Sequence, residues 1–409
     1  MENNKEFNKN IFNISGLSSL SNMGFTCYIN SVLQCLSATK LFNSFILNNM
    51  FNEELKDENI KKRESMISFN LKKLFEEMWK NNQQITPKTL VSLIHENNKN
   101  FKIYEQEDSQ EFLGFMLDKI HDETSIKTNY KINDLSNQIN IENINQMSNS
   151  LISFENLLSA YDKPMIGFEN DTEFKKVIQE EMNNYINDNY NTFVIHNYLK
   201  YLIRQAEIYK LSIISYLFKG CYSSEIICKE CNKKSLTFEE SNMLQLSLPE
   251  ENKQTELKDC IKNYFSEELL EGENKYHCDN CNKKVNALRK NRIFETPNIL
   301  IIHLKRYKNY GNKCMKNNIF INYPFGDDLL SFKSFSSEYY KNDSNYELYA
   351  VIHQIGNLQM GHYIAFTKNS LNDKWYEYND QHIVHVPDED IQKTIINSNS
   401  YILFYQKKN

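Results

Sequence analysis

A cysteine at position 27 and a histidine at position 362 are the residues of this chain best placed to do chemistry. Cys27 lies in Asn22-Met23-Gly24-Phe25-Thr26-Cys27-Tyr28-Ile29-Asn30-Ser31, where a polar turn gives way to helical spacing of apolar side chains. His362 lies in Gly361-His362-Tyr363-Ile364-Ala365-Phe366, and Trp375-Tyr376-Glu377-Tyr378-Asn379-Asp380 follows shortly after. Thiol hydrolysis needs a nucleophile, a base to take its proton, and an amide or carboxylate to hold that base in one tautomer. The first turn of a helix stabilises a thiolate through its free N–H groups and its positive dipole end. Cys27 therefore reads as nucleophile, His362 as base, and Asn379 or Asp380 as the group that fixes the imidazole. Asn22, in the turn that enters the helix, carries an amide suited to donate to the oxyanion formed at an attacked carbonyl. Gly361 lets a substrate backbone approach closely, and the alternation after it predicts that His362, Ile364 and Phe366 share one face of a strand. Cys35 reads instead as a buried apolar residue, and His303 in Ile301-Ile302-His303-Leu304 as a packed strand residue.

A second chemistry is written in spacing. Cys228-Lys229-Glu230-Cys231-Asn232-Lys233-Lys234 and Cys278-Asp279-Asn280-Cys281-Asn282-Lys283-Lys284 are near copies. Each sets two thiolates on a tight turn, followed by an asparagine that tolerates an unusual backbone dihedral, and two such turns close a tetrahedral four-thiolate zinc site. A full thiolate shell leaves no position for substrate, so the expected zinc is structural. Cys221, Cys260 and Cys314 have no sequence partners and read as unligated.

The elements that must position these groups differ between the two halves. Apolar residues at helical spacing follow Cys27, and helices are expected around Ile67 to Trp79 and in Ser109 to His121. Ser235 to Phe238, Asn298 to Leu304, Tyr346 to His353, His362 to Thr367 and Tyr401 to Tyr405 read as strands. A helical half followed by a sheet-rich half is an α+β arrangement, with nucleophile and base on opposite sides of the junction. Residues 1 to 14 form an Asn-rich tail. An insertion is expected at about 124 to 205. It carries two helical patterns, Phe174, Val177, Ile178, Met182 and Tyr185, then Val194, Tyr198, Leu202, Ala206 and Tyr209.

Composition narrows the classes. The chain has 409 residues, 40% of them hydrophobic and 13% aromatic, enough for a sizeable core. Its net charge of -6 lacks the basic surplus that nucleic-acid binding favours. No apolar run approaches a membrane span and no signal peptide is expected at the start, so a soluble, non-secreted protein of a reducing compartment, cytoplasmic or nuclear, is the expectation. Nine cysteines, four of them in Cys-x-x-Cys pairs, fit metal thiolates better than disulfides.

Taken together the segments resemble the ubiquitin-specific protease family of papain-like cysteine hydrolases. Gly16-Leu17 through Gln34-Cys35-Leu36 resembles its cysteine box, and Glu105-Gln106-Glu107-Asp108-Ser109-Gln110-Glu111-Phe112-Leu113 its acidic block. Phe218-Lys219-Gly220 into Cys228 and Cys231, then Ile299 through Tyr307, resemble middle blocks. Tyr349-Ala350-Val351 through Gly361-His362-Tyr363 and Trp375 through Asp380 resemble its histidine box. The resemblance implies a catalytic domain over about 15 to 406, with a helical thumb, a sheet palm, and fingers over about 218 to 290 that carry zinc at their tip. It implies ubiquitin and ubiquitinated proteins as partners, a tail channel lined by Asp108, Gly361 and Tyr363, and the involvement of a regulatory protein as an option. Asp108 is also at N-cap position with Glu111 at capping-box spacing. Departures from the family pattern are Phe25 before the Thr-Cys pair, Met360 before Gly361, and asparagine rather than aspartate at 379. A different ubiquitin-like modifier as substrate, or a non-catalytic ubiquitin-binding role, are the alternatives to deubiquitination.

Overall fold

The computed structural model describes residues 15–48, 64–102, 104–127, 210–249, 255–310, 313–335, 344–357 and 360–408, with short runs and single positions between 180 and 201. The Asn-rich tail, and Phe174, Val177, Ile178, Met182 and Tyr185 of the insertion, lie outside the described residues.

The helical half is built around α1, Cys27–Ala38, which is buried from Cys27 through Ser37. A helix sequestered on every side must be apolar or internally satisfied all round, and its Asn30, Ser31 and Gln34 all bond inside the protein. Around it stand α2 (Lys40–Leu47), α3 (Ile67–Lys80), α4 (Lys88–Asn97), α5 (Ser109–Thr124) and α6 (Ile213–Phe218). The helices expected at 67–79 and 109–121 are thus present, each slightly longer than the periodicity marks. None of the described helices is long and apolar enough to cross a membrane.

The fingers are a sheet of β1 (Gly220–Cys228), β2 (Lys234–Ser241), β4 (Glu268–Leu270) and β7 (Ala287–Glu295), in the order β2-β1-β7-β4. At its end lies the hairpin β5 (Tyr276–Cys278) and β6 (Lys283–Val285). The palm strands run β12-β11-β10-β9-β13-β8-β3. Their ranges are β3 Leu244–Ser247, β8 Ile299–Lys305, β9 Asn345–Gly356, β10 Gly361–Lys368, β11 Trp375–Asn379, β12 His382–His385 and β13 Ser400–Lys408. The order is antiparallel throughout except for β8 beside β3.

Both faces of the palm are buried, which explains its near-continuous apolar strands. Along β8, Ile299 and Ile301 face the helices while Leu300, Ile302 and Leu304 join the opposite cluster. The helix Leu257–Tyr264, here α7, contributes Leu257, Cys260 and Ile261 to that opposite cluster. One register shift between Leu348 and Ala350 puts the adjacent Tyr349 and Ala350 on the helical side together. Arg306 is fully buried beside this sheet. Its Nε donates to the Ser400 carbonyl at 2.6 Å, and Nη1 donates to the carbonyls of Asn317 and Ile319 at 3.0 and 2.9 Å.

The insertion leaves and returns through Ile126–Lys127 paired with Lys210–Leu211. Its described residues lie along the fingers. Val194 and Tyr198 pack on Cys221, Phe238 and Phe294, and Ile186 and Phe193 pack by Leu236. Polar contacts recur down its length, from Tyr198 Oη donating to Glu295 Oε1, through Tyr190 Oη to Glu225 Oε1, to Asn183 Nδ2 donating to the Cys231 carbonyl.

Candidate active site and thiolate cluster

Cys27 is the first residue of α1, 2% exposed, and the helix start receives no side-chain cap from Thr26. Its first-turn N–H groups therefore keep their capacity to stabilise negative charge. The His362 ring stands across from it on β10. Asn379 Oδ1 accepts from His362 Nε2 at 2.8 Å, so the other ring nitrogen is left for the thiol. The His362 pKa is raised to about 9, first by its hydrogen bond with Cys27, against the opposing effect of burial, and further by Asn379 and the nearby charges of Cys27 and Asp380. The shift favours the imidazolium form of His362 beside the thiol.

Ile364 and Phe366 do share a face, buried in the cluster away from the helices. His362 departs from that pairing in its contact with Cys27, a member of the helix-side cluster. The reason is local: pairing of β10 with β11 reaches only to Ala365, so the strand's opening end is not held between two neighbours.

Asp380 does not hold the imidazole. Its φ of +50° turns the chain immediately after Asn379, and its carboxylate goes to the thumb. Oδ2 accepts from Asn22 Nδ2 and Oδ1 from Asn30 Nδ2, both at 2.8 Å. Asn22 is held in turn by its own oxygen, which accepts from the Gly24 and Thr26 amides at 3.0 and 3.1 Å. One amide proton of Asn22 is committed to Asp380, and a second is left to meet an oxyanion. Phe25, the bulky departure in this turn, is 47% exposed and stays out of the core, as does Met360 before Gly361.

The residues expected to line a tail channel are placed less simply. Asp108 caps α5 by accepting from the Gln110 amide at 2.7 Å, and its second oxygen accepts from Tyr401 Oη at 2.6 Å. The expected reciprocal box with Glu111 does not form, because the cap closes one residue earlier. Burial pushes the Asp108 carboxyl up. Tyr363 is 3% exposed and packs on the helical side. At Gly361 a Cβ would overlap the Asn357 carbonyl and the Gln354 amide, so glycine is required by the protein's own packing. His303 is buried edge-on to Tyr401, and burial lowers its pKa to about 3, in keeping with a packed residue.

Two contributors escape the sequence reading. Asn30, one helical turn beyond Cys27, could have been noticed as an amide within a helix buried on every side. Gln106, which lies in the acidic block but is given no role of its own there, bonds both backbone groups of Gly361 and places Nε2 3.9 Å from Cys27 Sγ.

At the fingers' tip the four cysteines 228, 231, 278 and 281 bring their sulfurs within 4.8 Å of one another. Cys228 to Cys281 is 3.9 Å and Cys231 to Cys278 is 3.7 Å. A tetrahedron with metal–sulfur bonds of about 2.3 Å has edges of about 3.8 Å, so the cluster fits a four-coordinate ion. Asn232 and Asn282 take φ of +56° and +49°, the conformation expected of the residue after each Cys-x-x-Cys turn. The four residues could hold a metal ion. Cys221, Cys260 and Cys314 are free and lie outside this cluster.

The comparisons with known proteins agree with this layout. Residues 18–405 match the family model described as ubiquitin carboxyl-terminal hydrolase. An Acanthamoeba polyphaga mimivirus protein named as a probable ubiquitin carboxyl-terminal hydrolase is 28% identical over 98% of this chain and 92% of its own length. Ubiquitin carboxyl-terminal hydrolase 2 of Homo sapiens is 27% identical over 96% of this chain, which spans 55% of that relative's length. Among solved structures, the SAGA DUB module bound to ubiquitin aldehyde matches with a TM-score of 0.64 and 22% identity, covering 97% of this chain and 70% of that one. The fold is that of these enzymes, and the chain belongs to the ubiquitin carboxyl-terminal hydrolase family.

Proposed function

We propose that this protein is a thiol-dependent deubiquitinase that cleaves the bond after the C-terminal glycine of ubiquitin on conjugated proteins or chains. The observation that carries this reading is the contact of His362 with Cys27 on one side and Asn379 on the other, inside a fold of this family. His362 takes the proton of Cys27, and the thiolate attacks the glycine carbonyl. Asn22 and the first-turn amides of α1 hold the oxyanion, and His362 returns the proton to the leaving lysine amine. Water then releases ubiquitin from the thioester. Asp380 acts through Asn22 and Asn30, as a positioning group. Asp108, Gly361 and Tyr363 shape the channel for the tail.

The metal at the fingers is zinc in this proposal. Cys228, Cys231, Cys278 and Cys281 would hold it, and bound there it supplies a covalent-strength cross-link between two turns and no reaction chemistry. Removal of zinc by a strong chelator should lower the melting temperature while restoration with zinc recovers it; a chelator-insensitive melt would refute the assignment. Cysteines free of disulfides at both centres support a reducing, cytoplasmic or nuclear setting.

The direct test is release of a fluorophore from the C-terminus of ubiquitin by the purified protein, beside Cys27→Ala and beside other ubiquitin-like modifiers. Turnover of ubiquitin that disappears in Cys27→Ala is the expected result. Turnover of another modifier alone would move the substrate and keep the mechanism, whereas binding of ubiquitin without turnover would make the chain a binding module.

A further inference from the structure

Gln106 stands two residues before the α5 cap and reaches into the space between the nucleophile and the histidine strand. The Gly361 N–H donates to its Oε1 at 2.6 Å, and its Nε2 donates back to the Gly361 carbonyl. A group that serves both the N–H and the C=O of one residue reproduces what a neighbouring strand does at a hydrogen-bonded position of an antiparallel ladder. Among the described residues no strand pairs with the edge it serves. β10 pairs with β9 on one side through Gly361 opposite Gly356, but β11 on the other side comes no nearer than Ala365. An uncovered strand edge is where an extended peptide adds itself to a sheet. The same Nε2 lies 3.9 Å from Cys27 Sγ, so one carboxamide spans edge and nucleophile at once.

We propose that Gln106 is an internal stand-in for substrate. It closes the Gly361 edge in the resting enzyme, and an extended diglycine tail exchanges the N–H and C=O of one of its residues for the Gln106 carboxamide before its scissile carbonyl reaches Cys27. A tail that returns both hydrogen bonds opens the site with little net loss, whereas a molecule that offers neither must break them without replacement. Gln106 is then a specificity-determining residue, selecting peptides that pair in register with Gly361. This rests on the reading of Cys27 as nucleophile.

The test uses the full chain with Gln106→Ala and with Gln106→Met, which keeps the side chain's length and removes both hydrogen bonds. The first readout is the rate of Cys27 alkylation by iodoacetamide, taken on its high-pH plateau so that access rather than thiol ionisation is measured. Release of two hydrogen bonds should raise that rate at least about fivefold in both variants. The second is the ubiquitin–fluorophore assay, in which KM should fall with kcat within about twofold if the free edge is already formed. Unchanged alkylation, or a raised KM with lowered kcat, would overturn the proposal and make Gln106 an ordinary contact for the tail. Gln106→Asn replaces either variant that fails to fold. Alkylation needs no ubiquitin, so fast alkylation of the variants without ubiquitin turnover would keep the latch and remove only the substrate assignment.

Discussion

His362 is held in its charged form by its neighbours, and the pH dependence of the enzyme follows from that. Its pKa of about 9 in the folded protein lies above the ordinary value near 6.5. The protonated ring therefore contributes stability that is full below about pH 6.5 and is lost as pH rises through about 9. Activity that needs the imidazolium to protonate the leaving amine should decline on the same alkaline limb. Asn379 contributes to the raised value by accepting from Nε2, so Asn379→Ala should shift the limb to lower pH and lower kcat by about 10- to 100-fold. A pH profile of kcat/KM checks this, and an unmoved alkaline limb would remove Asn379 from its assigned role. The nucleophile and base were legible as residues because each sits in a distinctive local context. The choice between Asn379 and Asp380 was not, since adjacent residues in a turn differ only in the dihedral that aims them, and Asp380 alone takes the left-handed one.

The element that joins the two halves is the turn between β11 and β12, tied to the α1 entrance through Asp380. Asp380→Ala would leave the amides of Asn22 and Asn30 without their acceptor, a loss of roughly 3 kcal/mol for two hydrogen bonds to a carboxylate. A lowered melting temperature together with a lowered kcat is expected, and Asp380→Asn should recover part of both by restoring one acceptor. A normal melt and normal turnover in Asp380→Ala would show that the clamp is dispensable. Helices and strands were readable from periodicity, since apolar spacing responds to burial and most of these elements are buried. Their register was not: the Asn22 to Asp380 bond joins residues 358 positions apart, a separation no local pattern encodes. The insertion shows the same limit. Val194 and Tyr198 announced a helix, but only the folded chain places them against Cys221, Phe238 and Phe294 of the fingers.

At the scale of the whole molecule, the palm depends on one buried cation. Arg306 links the Ser400 carbonyl at the head of β13 to the carbonyls of Asn317 and Ile319. Burial lowers its pKa to about 10, which still leaves it charged at neutral pH. Arg306→Met keeps much of the volume but strands three carbonyls, two of them buried, and should cost about 3–5 kcal/mol. Urea unfolding reads this as a lower midpoint at similar slope; a midpoint within error of the parent would deny the residue its structural role. β13 itself has a further consequence. Residues 400–408 lie between β9 and β8, in the middle of the sheet that carries His362 and Asn379. During translation Cys27 leaves the ribosome more than three hundred residues before the strand that zips the palm together, and domains complete only when their long-range partners exist. A nascent chain halted short of residue 400 thus carries every residue of the reaction in a sheet whose β8 and β9 still lack the strand that bridges them.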